Sequence, residues 1–348
     1  MATTTFTDLS AILLDKYGAV IAKAFTEYGP GNQLIPENSI MGRLAAKGRV
    51  VIGSNDISDR YAKEWGVHTT AFTASSYGGS DSYPSSVAPS FATASLPWKR
   101  YGISMEFDNL VRVARAAARG NVNALNFEFQ AKLKALISQI EKDLSGDGTA
   151  NSSKVITGVK AFMSTSNTYA GINQSTSSYW QARIDDASSA SLASSNLETI
   201  AKLLYDNNGI GPNSEIWMSS TQWPKFTALY SSNIRYTPGG MGGTSVEPRY
   251  VDGLVDLPIY IIPSLSQSAT TDEIWFCNLD DLSLHFLDHT PQDTMPVDPD
   301  QEVLHEGVPV GIEQVETGKD SKALFLKSYC QLVCANPRNF GAIINLAT

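Results

Sequence analysis

The apolar positions along the chain follow a helical spacing in some stretches and a strand-like spacing in others. Between residues 125 and 144 apolar side chains recur every three or four positions, which places them on one face of an α-helix. This helix ends at the turn 145–148, and a rise of about 1.5 Å per residue makes it roughly 30 Å long. The preceding stretch, residues 106–120, also has a helical pattern. Further helices are predicted over residues 7–28, 190–206 and 221–229.

Short runs rich in β-branched and aromatic residues predict strands in other parts of the chain. These runs comprise residues 47–54, 215–220, 257–264, 273–279, 282–288, 310–319, 323–335 and 339–346. The mixture of long helices and short strands places the chain in the α+β class.

Residues 69–98 differ from the rest of the chain because they contain a single charged residue, Asp81. The two ends of this stretch favour strand, whereas its middle, GGSDSYPSSVAPS, is rich in turn-forming residues, so we predict a projecting hairpin. An isolated hairpin is only marginally stable in water. We therefore expect it to lie on another subunit, where small uncharged side chains are buried without the desolvation cost of ions.

Composition and charge exclude several classes of protein. The chain has 348 residues and a formal net charge of −9, and only 18% of its residues are charged, against about 25% in an ordinary soluble domain. No basic run suited to binding nucleic acid through its phosphates is present. No apolar run is long enough to span a membrane, and the N-terminus lacks the features of a signal peptide. We expect Cys277, Cys330 and Cys334 to be buried thiols in a reducing compartment.

The elements follow one another in a distinctive order. A long extended segment precedes a long helix ending in LSGDGT, and a glycine-containing turn, ITGVKAF, follows. Next come the helix–strand pair LETIAKLLYDNNGIGPNSEIWMSS, the strands IWFCNLDDLSLHF and a terminal sheet. This order resembles that of the major capsid protein of tailed bacteriophages, the Hong Kong 97 fold. The resemblance extends over nearly the whole chain, and it rests on element order and local patterns rather than on one invariant motif.

The resemblance implies a division of the chain into four parts. Residues 1–47 correspond to an N-terminal arm, and residues 48–105 to the extended loop with its strands. Residues 106–148 together with 300–348 form a peripheral domain, whose spine is the long helix. Residues 149–299 form an axial domain, in which the glycine-rich stretch RYTPGGMGGTS is either a loop at the symmetry axes or an ordinary surface loop.

The resemblance also implies the assembly and its partners. The chain is expected to self-assemble into hexamers and pentamers of an icosahedral head shell around double-stranded DNA, in a virion assembled in the cytoplasm of a bacterial host. A portal protein, a separate scaffolding protein and a decoration or cement protein are the other expected partners. Some capsid proteins are crosslinked through a lysine of the extended loop, but residues 69–98 contain no lysine, so this chemistry is not expected.

Candidate inter-subunit contacts are aromatic, charged or flexible residues in the segments that the resemblance places at subunit boundaries. Arg112, Arg115 and Arg119 recur at helical spacing, so they form either a solvated basic face or partners for the carboxylates of a neighbour. The full set of candidate contacts is Tyr77, Asp81, Tyr83, Trp98, Arg100, Arg112, Arg115, Arg119, Tyr236 and Met241.

Candidate catalytic chemistry is sparse, and no catalytic residue, metal site or cofactor is predicted. His285 and His289 are four residues apart, a spacing that binds zinc on a helix, but the surrounding LSLHFLD alternates like a strand. Residues 146–154 resemble a phosphate loop only superficially, since the G-x-x-x-x-G-K-[ST] pattern is absent. Three alternatives stay open: an encapsulin-type shell protein, a hydrolase using His285 and His289, and a monomeric sugar-binding or adhesin module.

Overall fold

The computed structural model describes residues 39–53, 61–69, 76, 88–108, 122–230, 234–238, 246–252, 255–267, 272–287, 301–305, 308–316 and 321–347. The α-helices in this part of the chain are α1 Ile40–Ala46, α2 Val122–Leu144, α3 Ala150–Ser153, α4 Val159–Phe162, α5 Ser194–Asp206 and α6 Gln222–Tyr230. Short 3₁₀ turns span Ser178–Trp180, Pro263–Gln267 and Pro337–Asn339.

The strands of the described residues are β1 Val50–Ile52, β2 Ala62–His68, β3 Phe91–Pro97, β4 Lys99–Asp108, β5 Thr168–Tyr169, β6 Ile172–Asn173, β7 Arg183–Asp186, β8 Ser214–Met218, β9 Ile234–Pro238, β10 Val246–Asp252, β11 Val255–Ile261, β12 Asp272–Asn278, β13 Leu282–Phe286, β14 Gln301–His305, β15 Val308–Glu316, β16 Ser321–Cys334 and β17 Gly341–Leu346. All eight strands expected from the sequence are found within or close to their predicted limits.

The described strands pair mainly into two larger sheets. In the six-stranded sheet, the order is β1-β13-β16-β15-β14, and the long β16 also pairs with β4. In the seven-stranded sheet, the order is β7-β17-β12-β8-β11-β10-β9. Strands β2 and β3 pair only with each other and form a two-stranded antiparallel hairpin.

The two larger sheets combine strands from different parts of the predicted division, which stays a prediction. The strand Leu282–Phe286, expected in the axial part, pairs with β1 and β16 of the six-stranded sheet. The last strand, Gly341–Leu346, expected in the peripheral part, pairs with β7 and β12 of the seven-stranded sheet. Pairing between strands that are distant in sequence decides this exchange, and local pattern carries no information about it.

Both faces of the seven-stranded sheet are covered. On β8, Ile216 and Met218 belong to a core shared with helix α5, whereas Trp217 belongs to the core shared with helix α2 and the hairpin. Successive side chains of a strand point to opposite faces, so every residue of β8 is buried. The continuous apolar run IWM is the consequence of this double coverage.

Helix α2 is the spine that the periodicity predicted. Its buried side chains keep the expected spacing of three and four, and they are Leu133, Leu136, Ile137, Ile140 and Leu144. The expectation that the helical pattern begins at residue 106 is wrong for residues 106–108, because β4 runs to Asp108 and pairs there with Ser321 of β16. Within the described residues, no helix is long and apolar enough to cross a membrane.

Gly158 fixes the exit from the spine helix. A Cβ atom at this position would lie 2.4 Å from the carbonyl oxygen of Leu144 and 2.6 Å from that of Gly146. Neither backbone atom can move without disturbing the end of α2, so the turn requires a residue without a side chain. This requirement explains the glycine in ITGVKAF.

Candidate inter-subunit surface

The hairpin β2–β3 is attached to the body through one of its faces. Val67, Ala94 and Leu96 are buried on this inner face, and the indole of Trp65 lies 6.5 Å from that of Trp180. The backbone N–H of Ser95 also donates to the carbonyl of Ala170 at 3.0 Å. The base of the hairpin therefore has a fixed orientation on the body.

The outer face of the hairpin carries an exposed aromatic side chain, Phe91. It is 68% exposed and makes an edge-on contact with His68, its partner across the two strands, at 4.9 Å between ring centroids. Thr93, the next residue on this face of β3, is also exposed. Tyr61, which is 88% exposed, lies at the opposite end of the ladder, where its carbonyl accepts from the backbone N–H of Trp98. The outer face is therefore open to contact with another molecule.

The hairpin was predicted from composition, and the structure shows two paired strands, of which the first begins earlier in the chain than the predicted arm. The predicted arm began at Thr69, whereas the observed strand ends at His68 and pairs in register with Phe91–Pro97. Thr69 continues the ladder, since its N–H donates to the carbonyl of Ser90 at 3.0 Å. Residues 70–75 and 77–87, which include most of the predicted tip, lie outside the described residues.

Helix α1 joins the N-terminal segment to the spine helix. The Ser39 hydroxyl accepts from the N–H of Gly42 at 2.9 Å, which caps the helix. The Glu141 carboxylate of α2 accepts from the N–H groups of Ile40 and Met41 at 2.8 and 2.9 Å. Burial raises the pKa of Glu141 to about 7, although the two backbone N–H groups and the hydroxyl of Ser264 oppose the shift.

The same helix is tied to the seven-stranded sheet by charge. The Arg43 guanidinium lies 2.5 Å from the Glu215 carboxylate, and the two side chains are 12% and 1% exposed. It also lies 3.5 Å above the ring of Tyr260, and the indole N–H of Trp217 donates to Glu215 at 3.0 Å. Arg49, by contrast, pairs with Asp280 at 2.5 Å where both side chains are about one-third exposed.

Few of the predicted contact residues fall in the described part of the chain. Arg100 is exposed on β4 with its guanidinium 5.9 Å from the ring of Tyr329. Trp98 is partly buried, and its backbone N–H donates to the carbonyl of Tyr61 at 3.3 Å. Tyr236 belongs to β9, so residues 235–238 of the expected glycine loop are strand. The candidates outside the described residues are Tyr77, Asp81, Tyr83, Arg112, Arg115, Arg119 and Met241.

The residues considered for chemistry do not form a site in the described part of the chain. His285 lies on strand β13, as the alternation predicted, and its ring nitrogen Nε2 is 2.9 Å from the Ser283 hydroxyl. His289 lies outside the described residues. Cys277, Cys330 and Cys334 are free and buried, as expected, and burial raises the pKa of each thiol. No group of three metal-ligating side chains occurs among the described residues.

Sequence reasoning missed the role of Arg43, Glu141 and Glu215. One signal was present for Glu141, which continues the buried stripe of Leu133 and Ile137 at a spacing of four. A carboxylate on the apolar face of a helix is costly to bury unless it has hydrogen-bond donors. Arg43 and Glu215 are 172 positions apart, and no local pattern connects them.

A family profile identifies the class of protein to which this fold belongs. The profile of the SU10 major capsid protein family matches residues 109–347, and the chain belongs to this family. It is a capsid shell protein of the Hong Kong 97 type, as the resemblance implied. Its role is structural, in the shell of a virion, through self-association. A comparison with curated protein sequences gave no match.

Solved structures with the same fold come from several kinds of particle. The capsid asymmetric unit of cyanophage A-1(L) is 16% identical, with 92% of this chain and 96% of that chain covered and a TM-score of 0.68. The capsid of Myoviridae phage XM1 is 11% identical, with 88% and 92% covered and a TM-score of 0.51. The SrpI encapsulin of Synechococcus elongatus is 6% identical, with 94% and 95% covered and a TM-score of 0.51.

Proposed function

We propose that the chain forms hexamers and pentamers of an icosahedral phage head, and that the hairpin of each subunit lies on a neighbouring copy. The observation that supports the proposal is the contrast between the two faces of the hairpin. The inner face is packed on its own subunit, whereas the outer face leaves Phe91 68% exposed. Burying apolar area against a neighbour contributes about 25 cal/mol per Å², and the contact recurs in every subunit of a shell.

The four-part division of the chain belongs to the same proposal. Residues 1–47 act as the arm, residues 48–105 as the loop that reaches the neighbour, and residues 106–148 with 300–348 as the peripheral part. Residues 149–299 gather around the symmetry axes. The exchange of β13 and β17 between the two sheets ties the peripheral and axial parts of one subunit together.

We further propose that the shell encloses double-stranded DNA without sequence specificity. The net charge of −9 supports this function, because a lumen without strong basic patches lets a polyanion enter without adhering to the wall. The proposed partners are a portal protein, a separate scaffolding protein and a decoration or cement protein. Assembly takes place in the cytoplasm of a bacterial host.

Replacing the tip of the hairpin tests the proposal. Exchanging residues 77–87 for a short Gly-Ser linker leaves the β2–β3 ladder and the Thr69–Ser90 contact in the chain. We expect a subunit that folds with an unchanged unfolding midpoint but forms no shells by negative-stain microscopy, whether or not a scaffolding protein is co-expressed. Shells of normal size and number from this variant would refute the role given to the hairpin.

The control for the tip replacement is an insertion of the same linker at another exposed turn. The turn at Ser188, between strand β7 and helix α5, is exposed and is remote in sequence from the hairpin. We expect shells from this control. Wild-type protein that stays monomeric under all of these conditions would refute the shell function itself, and particles filled with a protein cargo instead of DNA would favour an encapsulin-type compartment.

A further inference from the structure

Two arginine side chains converge on one neutral side chain at the end of helix α5. The Asn207 carbonyl oxygen Oδ1 accepts from Nη2 of Arg183 at 2.9 Å, and from Nε and Nη2 of Arg338 at 3.0 and 2.5 Å. Arg183 begins strand β7, and Arg338 lies on the 3₁₀ turn before β17. Three separate elements of the fold therefore meet at this point.

The orientation of Asn207 is fixed by the helix that it ends. Its Nδ2 group donates to the carbonyl of Leu203 at 2.6 Å, so its own carbonyl oxygen is turned toward the arginines. That oxygen has two lone pairs, yet three N–H groups point at it. The two guanidiniums together have more donors than this acceptor can satisfy.

No carboxylate among the described residues forms an ion pair with either Arg183 or Arg338. The Nε group of Arg183 is buried and has no hydrogen-bond partner among the described residues. Burial lowers the pKa of Arg183, and the charge of Arg338 lowers it further. A buried donor without an acceptor carries a free-energy cost. Arg338 is exposed, so an anion bound to it would reduce the repulsion between the two guanidiniums.

We propose that Arg183 and Arg338 form a binding site for a carboxylate of a second copy of this chain. This inference rests on the proposed shell function, which brings identical subunits into contact. Two guanidiniums offer the planar, paired donors that a carboxylate accepts. The chain supplies such groups in excess, since it has 35 acidic residues against 26 basic ones.

The surroundings favour a single carboxylate over a nucleic acid. Asp206, next to Asn207, is exposed, and Asn339, next to Arg338, donates to the Asp281 carboxylate at 2.6 Å. A duplex brings a row of phosphates, and these neighbouring negative charges repel a polyanion. One carboxylate side chain from a neighbouring subunit reaches the arginines without bringing further charges.

The variant Asn207→Asp tests the site directly because it places a carboxylate between the arginines within one chain. Asp keeps the acceptor for both guanidiniums and neutralises part of their charge, but it loses the donation from Nδ2 to the Leu203 carbonyl. The urea midpoint of the unassembled variant is therefore measured beside its shell yield, and we expect a folded subunit. The site is then already occupied, and we expect at least about tenfold fewer shells than from wild type at equal subunit concentration, as for the loss of one charge-assisted contact. Arg183→Gln/Arg338→Gln is the second variant, with the same expected loss.

The matched control is Lys202→Gln, which changes the net charge by the same single unit as Asn207→Asp. Lys202 is exposed on the same helix, and its substitution is expected to leave shell yield unchanged. Normal shell yield from both site variants would overturn the inference while leaving the shell function intact. Absence of shells from wild type as well would instead refute the shell function.

A second measurement tests whether the two arginines bind DNA phosphate instead of a carboxylate. Unassembled wild-type subunits are titrated with a 30-base-pair DNA duplex at low salt, alongside the double arginine variant. We expect no binding that depends on these arginines. Duplex binding by wild type that the double variant loses would overturn the carboxylate assignment and identify phosphate as the ligand.

Discussion

The hairpin and the α1 junction both pack on the body through apolar side chains, but among the described residues only the junction adds buried charged groups. The junction, residues 39–52, buries Ile40, Met41 and Leu44 in the core. In addition, Glu141 accepts from the first N–H groups of helix α1, and Arg43 pairs with a Glu215 side chain that is 1% exposed. The hairpin is fixed by apolar packing on one face and leaves its other face open. Burying uncharged side chains on assembly avoids the desolvation cost that the buried charges of the junction have to offset with their own partners.

Breaking the buried pair is expected to give the largest loss of stability. Among the described residues, Arg43→Ala leaves the buried Glu215 carboxylate with Lys47, at 4.0 Å, and the indole of Trp217 as partners. We expect the free energy of unfolding of the unassembled subunit to fall by about 3–5 kcal/mol, measured by urea titration. Arg49→Ala is the control, and its exposed pair with Asp280 is expected to contribute no more than about 1 kcal/mol. Equal losses would show that burial does not distinguish the two pairs.

Truncating the inner face of the hairpin is expected to have the next largest effect. Leu96 is 4% exposed on this face, so Leu96→Ala leaves a cavity and costs about 2–5 kcal/mol. Urea unfolding of the unassembled subunit measures the loss. An unchanged midpoint would mean that the hairpin is not anchored through this face.

The pH dependence of stability tests whether Glu141 is buried at the junction. The pKa of Glu141 is raised in the folded state to about 7 from an ordinary 4.5, so the folded protein binds more protons than the unfolded chain between these values. Its contribution to stability is therefore present at low pH and declines as pH rises from about 4.5 to 7. We expect the urea midpoint of Glu141→Gln to fall less than that of wild type between pH 5 and pH 8. Parallel profiles would contradict the buried environment assigned to this carboxylate.

Removing the exposed aromatic group of the hairpin should have the smallest effect on the subunit. Phe91→Ser changes a side chain that is mostly in solvent, so the free energy of unfolding should stay within about 0.5 kcal/mol of wild type. Shell yield, counted by negative-stain microscopy, should fall clearly. A variant that unfolds more easily but assembles normally would reverse the assignment of inner and outer faces.

The spine helix could be predicted from sequence because its signal is local. Residues 125–144 repeat every three or four positions, and the observed helix Val122–Leu144 buries those positions. The end of this helix at residues 145–148 could also be predicted from the sequence. The requirement for glycine at position 158 could not, because it depends on the close approach of Gly158 to the carbonyl groups of Leu144 and Gly146 in the folded structure.

Two features could not be predicted from sequence: the pairing register of the hairpin, and the placement of β13 in the six-stranded sheet and of β17 in the seven-stranded sheet. Strands that are distant in sequence decide both features. The composition of residues 69–77, TTAFTASSY, favours strand. The strand that pairs with β3 is instead Ala62–His68, whose side chains alternate between the body and solvent. The junction was missed for the same reason, since Arg43 and Glu215 meet only after folding. Most predicted contact residues lie outside the described part of the chain, and they stay predictions.

The accessibility of the outer face of the hairpin before and after assembly tests directly whether this face lies against a neighbouring copy. Thr93 is exposed on that face, and the three native cysteines are buried, so Thr93→Cys introduces a single accessible thiol among the described residues. The account predicts rapid reaction with a small maleimide in the unassembled subunit and a rate at least about tenfold lower in intact shells, with full reactivity restored after dissociation. Equal rates in subunits and shells would contradict the claim that this face lies against a neighbouring copy.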